Sequence, residues 1–265
     1  MTVIIALEDE WQTWHAARER DLDTPHGWLT IVAFNWLGTS PDELPGLPGT
    51  WSVSDGSAVV TATAADGLTL AGEPVDGTIT ASVAEAGSLA WLRYGDKLVE
   101  LVLRGGRYAI RQRDPEAATR RSFDGVPAFP VDPRWIVAGR YIPYDEPRRV
   151  EVATARADLR QYVTAVGVVH VELGGTAYGL VATVTAGGRI DGPVGLSFHD
   201  ETNGSETAPW RTVTTGQPMK DGEVVVDFNR TINLPFAFTD YGTCPAPVEG
   251  NRLALAVKAG ERNPR

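Results

Sequence analysis

The residue types able to do chemistry concentrate in the last third of this 265-residue chain. An apolar run ending at Phe198 leads into a loop holding Asp200, Thr202, Asn203, Gly204, Glu206, Thr207 and Arg211. Asp227-Phe228-Asn229 follows Val224-Val225-Val226, and beyond it come Asn233, Tyr241, Thr243, Cys244 and Pro245, then Asn251-Arg252-Leu253 and Gly260-Glu261. Cys244 is a candidate nucleophile, since a thiolate attacks acyl or phosphoryl centres once a base or a positive dipole lowers its pKa, and His199, His170 or Asp200 could assist. The competing reading is a small buried residue locked between Thr243 and Pro245. Asp200 and Glu206 are a candidate acid and base, or could share a divalent metal with Asp227; alternatively these side chains bond their own backbone amides in turns. Thr202, Arg211, Asp227, Asn229, Asn233 and Asn251 are candidate ligand contacts. Arg211, Arg230 and Arg252 could clamp an anion through bidentate bonds, or pair with some of the chain's 34 carboxylates. His170 alternates with Val169 and Val171, so it reads as a residue on a solvated sheet face rather than a catalyst.

The familiar catalytic signatures are missing. Neither the P-loop spacing nor the dinucleotide fingerprint occurs, nor does a His-Glu-x-x-His helix or a Cys-x-x-Cys pair. Gly195-Leu196-Ser197-Phe198-His199 lacks the second glycine of a nucleophile elbow. Aligning Gly204 with the sixth position of a calcium loop puts His199 first and Trp210 twelfth, where carboxylates are required. The sequence leaves the metal and cofactor question open.

The elements that must position these residues are mainly β. Leu7, Trp11, Trp14 and Leu22 recur at helical spacing, which predicts an N-terminal helix ended by Pro25 and Gly27. Residues 27–38 are apolar on nearly every side and must be buried, as strand or short helix. From Trp51 onward, short β-prone runs alternate with Asp55-Gly56, Asp66-Gly67, Asp76-Gly77 and Gly105-Gly106, pairs that tolerate positive φ in tight turns. A two-residue turn at Gly105-Gly106 sets Leu103 against Tyr108, Leu101 against Ile110 and Glu100 against Arg111. At Gly174-Gly175 the same logic pairs Leu173 with Thr176, Val171 with Tyr178 and Val169 with Leu180. Further strands are expected at 193–198, 223–228 and 253–257. Between the Gly105-Gly106 and Gly174-Gly175 turns, 115–148 carries six prolines and reads as a connection between two β modules, with no central strand. The expected organisation is a helical entry segment (1–50), a first antiparallel module (51–114), the Pro-rich connection (115–148) and a second β module (149–265). The fold class is an antiparallel β-sandwich or barrel with an N-terminal helix.

Composition narrows the partners. The net charge is -10, and only Lys97, Lys220 and Lys258 of the 24 basic residues are lysines, so no basic patch invites nucleic acid. No apolar run approaches a membrane span, and the acidic Glu8-Asp9-Glu10 is unlike a secretory signal. With one cysteine no internal disulfide can form, and the expected location is cytoplasmic.

Asp227-Phe228-Asn229, Asn233, Phe236-Ala237-Phe238-Thr239, Thr243-Cys244-Pro245-Ala246-Pro247, Asn251-Arg252-Leu253 and Ala259-Gly260-Glu261, in that order, resemble the C-terminal signature of the bacterial family catalogued as domain of unknown function 1684. Phe198 to Glu206 and Gly27-Trp28-Leu29 resemble its other hallmarks. The resemblance implies a family and no reaction. Members tend to carry a second cysteine shortly after the Asn-Pro turn, where this chain has Phe236, so a mechanism needing two sulfurs is not implied here. The reading that follows is a protein binding a small molecule in a polar pocket of the C-terminal module. A hydrolase using Cys244 or Asp200 and Glu206 in the same pocket, and a structural or protein-interaction module, stand as alternatives.

Overall fold

Paired glycines set the strand boundaries. Gly105 and Gly106 (φ 58° and 74°) and Gly174 and Gly175 (φ 57° and 78°) adopt the left-handed values that a two-residue hairpin turn demands, at no steric cost for glycine. The computed structural model, which describes residues 2–185 and 187–264, places Leu103 opposite Tyr108, Leu101 opposite Ile110 and Glu100 opposite Arg111, and pairs Leu173, Val171 and Val169 with Thr176, Tyr178 and Leu180. Both hairpin registers follow from the turn chemistry.

The chain divides into two compact units, Arg20–Phe123 and Met1–Glu19 with Asp124–Arg265. In Arg20–Phe123 the strands are β1 (Ile31–Trp36), β2 (Asp42–Leu44), β3 (Leu47–Ser54), β4 (Ser57–Ala62), β5 (Leu68–Leu70), β6 (Glu73–Pro74), β7 (Gly77–Ala81), β8 (Ser88–Tyr94), β9 (Lys97–Arg104) and β10 (Arg107–Arg113). They make one sheet in the order β1-β10-β9-β8-β5-β6 and another in the order β2-β3-β4-β7. The apolar run at 27–38 resolves into a 3-10 turn at Trp28–Thr30 followed by β1. Trp51, Val60, Leu68, Leu101 and Ile110 fill the core between these sheets. Glu100 is buried too, held by Arg111 Nη1 at 3.1 Å and Arg113 Nε at 2.9 Å.

The second unit carries the signature. Its strands are β11 (Ile136–Ala153), β12 (Arg160–Leu173), β13 (Thr176–Val184), β14 (Val194–Phe198), β15 (Arg211–Thr214) and β16 (Glu223–Asp227), ordered β15-β14-β13-β12-β11-β16. Alternation sends Val169, Val171, Leu173, Leu180, Leu196, Phe198, Val224 and Val226 into one core, closed by Phe228, Leu253 and Val257. The N-terminal helix, α1 (Thr2–Leu22), contributes its residues through Glu19 to this unit. The fold is mainly β and antiparallel with an N-terminal helix.

Two sequence expectations are corrected. The Pro-rich stretch does contain a central strand: Ile136–Arg140 pairs with β16, and Gly139 onward pairs with β12. The prolines permit this because Pro133 precedes the strand, while Pro143 and Pro147 fall past the paired length of β16, around a register shift between Pro143 and Arg148. Residues 253–257, by contrast, form no strand. They are an irregular segment in which Leu253 and Val257 are buried, and the carbonyls of Leu255 and Val257 accept from Glu201 N and Arg211 Nη2.

Candidate functional site

Arg211 opens β15 with its side chain sealed from solvent. A buried guanidinium needs acceptors for its donors, and here four are supplied. Nη2 donates to Asp200 Oδ2 at 2.8 Å and to the Val257 carbonyl at 2.8 Å, and Nη1 donates to the carbonyls of Ala259 (2.6 Å) and Glu261 (3.0 Å). Asp200 has zero side-chain exposure as well. Its Oδ1 accepts the Thr202 amide at 2.7 Å and the Thr202 hydroxyl, which also meets Thr207 Oγ1 at 2.7 Å. Burial pushes the Arg211 guanidinium below its ordinary value, against the opposing pull of Asp200 and Glu261. The Asp200–Arg211 pair therefore binds the end of β14 and the start of β15 to the C-terminal segment.

That network continues to the candidate contact Asn233 and to Glu261 and Arg18, to which sequence alone assigns no role. Glu261 is fully buried; its Oε2 accepts the Asn233 amide at 2.6 Å and its Oε1 accepts Arg18 Nε at 3.2 Å. Arg18 Nη2 also donates to the Asn233 carbonyl at 3.0 Å, and Asn233 Nδ2 donates to the Arg262 carbonyl at 2.7 Å. Burial raises the Glu261 carboxyl above its ordinary value, outweighing the Arg18 charge and the Asn233 N–H. Trp11, His15 and Arg18 share a helix face by their three- and four-residue spacing, and Trp11 stacks on His15 with ring centroids 4.5 Å apart. That spacing, together with the signature glutamate, was the available signal for this cluster.

The other candidates are placed separately. Asp227 Oδ1 accepts the Asn229 amide and Nδ2, and Asn229 clasps the backbone of Asp132 through both of its amide atoms. The Asn229 carbonyl accepts Trp11 Nε1 at 2.7 Å. Asn251 bonds Val181 N and O on β13 and the Ser197 carbonyl on β14. Glu206 is half-exposed and pairs with Lys258 at 3.0 Å. Cys244 is buried beside the end of β11, where its carbonyl accepts the Ala155 amide. Thus Asp200, Thr202, Arg211 and Asn233 belong to one network, while Cys244, Asn251 and the Asp227–Asn229 pair each secure a different part of the fold. Among the described residues, no group of three or more His, Cys, Asp or Glu side chains is arranged to hold a metal ion. Asp200, Glu206 and Asp227 do not converge because each meets its own neighbours: Arg211 and Thr202, Lys258, and Asn229.

Beside the buried network lies an open hollow of about 490 Å³, bordered by His199, Asp200, Glu201, Asn203, Gly204, Pro209 and Arg252. Asn203 fixes its wall: Oδ1 accepts the Asp200 amide, while Nδ2 donates to Thr207 Oγ1 and the Ala208 carbonyl. His199 Nδ1 lies 2.9 Å from the Pro209 carbonyl, which can only accept, so the proton sits on Nδ1 and leaves Nε2 for another partner. Backbone bonds from His199 N to Asn251 O and from Leu253 N to His199 O hold Arg252 alongside. Arg252 is exposed, and among the described residues no carboxylate pairs with it.

No helix among the described residues is long and apolar enough to cross a membrane. No curated protein matches the chain. Among solved structures, the chain is similar to an uncharacterized protein of Haloarcula marismortui determined by solution NMR. The two are 28% identical over 54% of this chain and 78% of that one, with a TM-score of 0.45. The pattern of the family described as Protein of unknown function (DUF1684) matches residues 121–262, just over half of the chain, and this chain belongs to that family.

Proposed function

We propose that the signature-bearing unit binds a small anionic molecule in the hollow between His199 and Arg252. One observation carries this reading: an exposed guanidinium, unpaired among the described residues, stands beside an imidazole whose outer nitrogen is available, at loops anchored on a rigid sheet. On this reading Asp200, Thr202, Arg211, Asn233 and Asn251 position the hollow without touching the ligand. Binding is preferred to hydrolysis because both oxygens of Asp200 are engaged and Cys244 is buried away from solvent. The proposed setting is the cytoplasm, in keeping with a single cysteine, and the net charge of -10 argues against nucleic acid as the ligand.

The test is a thermal-shift and calorimetric titration with inorganic phosphate, citrate and succinate. At least one should raise the melting temperature, since a ligand bound only by the folded state stabilises it. Arg252→Gln should weaken that binding about 10- to 100-fold, the usual worth of a hydrogen bond to a charged group. Absence of any shift at tens of millimolar anion, or equal binding by the variant, would remove the proposal.

A further inference from the structure

We propose that the outer face of β16, β11, β12 and β13 carries a second small-molecule site, separate from the hollow at Arg252, for a zwitterionic amino-acid-type ligand with an apolar side chain. The strand register lays the site out. Because side chains alternate, the residues beside the buried Val169, Val171, Val224 and Val226 point away from the core. One outward row crosses the sheet as Glu223, Arg140, His170 and Gly179. In the adjoining row, Val225 pairs with Ala138 and Glu172 pairs with Ala177.

These rows border a groove of about 700 Å³, within the usual size of small-ligand sites. Its floor is shallow because Ala138 and Ala177 contribute only methyl groups. Gly179 has no need of left-handed backbone, so its glycine serves space: an added Cβ would stand 3.3 Å from His170 Cε1 and 3.4 Å from Nδ1. The imidazole therefore lies down along the sheet beside it. Above, the connection from Gly216 to Gly222 is fixed by backbone bonds from Gly216 N to Val225 O, Met219 N to Glu223 O and Tyr141 N to Gly222 O. The groove is preformed, and it keeps Met219 and Val225 more than half exposed at its edge.

Charge selects the ligand class. Arg140, Glu172 and Glu223 all border the groove, and among the described residues none of them is in an ion pair. A plain anion would meet two carboxylates, and a plain cation would meet the guanidinium. A ligand with both charges on one carbon satisfies both, its carboxylate toward Arg140 and its ammonium toward a glutamate, leaving the side chain for Ala138, Ala177, Val225 and Met219.

L-phenylalanine is the probe, titrated into the full chain and followed by backbone and side-chain NMR shifts. Saturable shifts confined to the neighbourhood of Ala138, Arg140, His170 and Ala177 are expected. N-acetyl-L-phenylalanine, which lacks the ammonium, and phenethylamine, which lacks the carboxylate, should each bind at least about tenfold more weakly. Arg140→Gln should lose a similar factor. Ala177→Trp, a substitution on the exposed face, should block the groove while the melting temperature stays near wild type. Arg252→Gln should leave phenylalanine binding unchanged, which separates this site from the first. The proposal is overturned if no saturable shift appears at tens of millimolar, if either analogue binds as well as phenylalanine, or if Ala177→Trp binds normally. Loss of binding in Arg252→Gln would also overturn it, by moving the ligand to the other hollow.

Discussion

Two buried glutamates show how a side chain's surroundings, and not its depth alone, decide its charge. Burial raises Glu100, but Arg111 and Arg113 together more than compensate, so its carboxyl lies below the ordinary value. Glu261 is ion-paired with Arg18, with a smaller pull from His15, and here burial prevails, leaving its carboxyl raised above its ordinary value of 4.5. Linkage then fixes a sign. Below pH 4.5 both folded and unfolded chains hold this proton; above it the unfolded chain releases the proton first, so the stability gained from Glu261 is lost as pH rises through its folded value. Urea unfolding of wild type and Glu261→Gln from pH 4 to 8 isolates the effect. The difference between them should shift in favour of the variant as pH rises, because the amide mimics the protonated acid without titrating. A difference that is flat, or that moves the other way, would mean the carboxylate is stabilised in the fold. At this scale little of the site was legible in sequence. The sequence marked Asp200 and Arg211 as reactive types, yet the carbonyls that hold Arg211, on residues 257–261, lie about fifty positions away, and no local pattern encodes such a pairing.

At the scale of elements, local chemistry was readable and irregular segments were not. Hairpin registers followed from Gly-Gly turns because turn geometry and alternation act over a few residues. Residues 253–257 look like a strand in composition, but the Val257 carbonyl, like that of Ala259, turns to Arg211 instead of to a neighbouring strand. Asn251 is a related case. β13 and β14 pair at Thr183 with Gly195 and Val184 with Val194; the same register would set Val181 against Ser197, and there the Asn251 amide is inserted as a bridge. The C-terminal segment depends on Gly260, whose φ is 72° and whose added Cβ would lie 2.4 Å from the Thr231 carbonyl. Gly260→Ala combines left-handed strain with a backbone collision and should destabilise by about 2–4 kcal/mol. Gly250 is the control: its φ is 89° but nothing lies within 4 Å, so Gly250→Ala should cost only about 1–2 kcal/mol. Denaturant unfolding of both variants makes the comparison, and equal losses would show that the Thr231 contact is relieved by small movements.

At the scale of the whole molecule, the mainly antiparallel class was legible because strand periodicity and turn residues recur along most of the chain. Membership of β11 was hidden because prolines ordinarily mark a connection. The same prolines bear on how the molecule behaves among its copies. β16 covers one side of β11 only from Ile136 to Arg140, and among the described residues no other strand pairs with that side until the far end, where Ala246 N donates to the Ala153 carbonyl. An open edge of this length is a template for pairing with another chain. Here it carries Pro143, Pro147, Asp145, Glu146, Arg148, Arg149 and Glu151, with the register shift from Pro143 to Arg148 breaking its regularity. Proline removes a donor and the charges resist desolvation, so the edge is unfit for a continuous ladder. Replacing Pro143 and Pro147 together by threonine restores two donors and a β-prone side chain at each position. Sedimentation velocity and light scattering over a concentration series should then show concentration-dependent association that the wild-type edge resists, with a rise in strand content in the associated fraction. If the double variant sediments as wild type at every concentration, the charged side chains alone protect the edge and the prolines serve only the local bend.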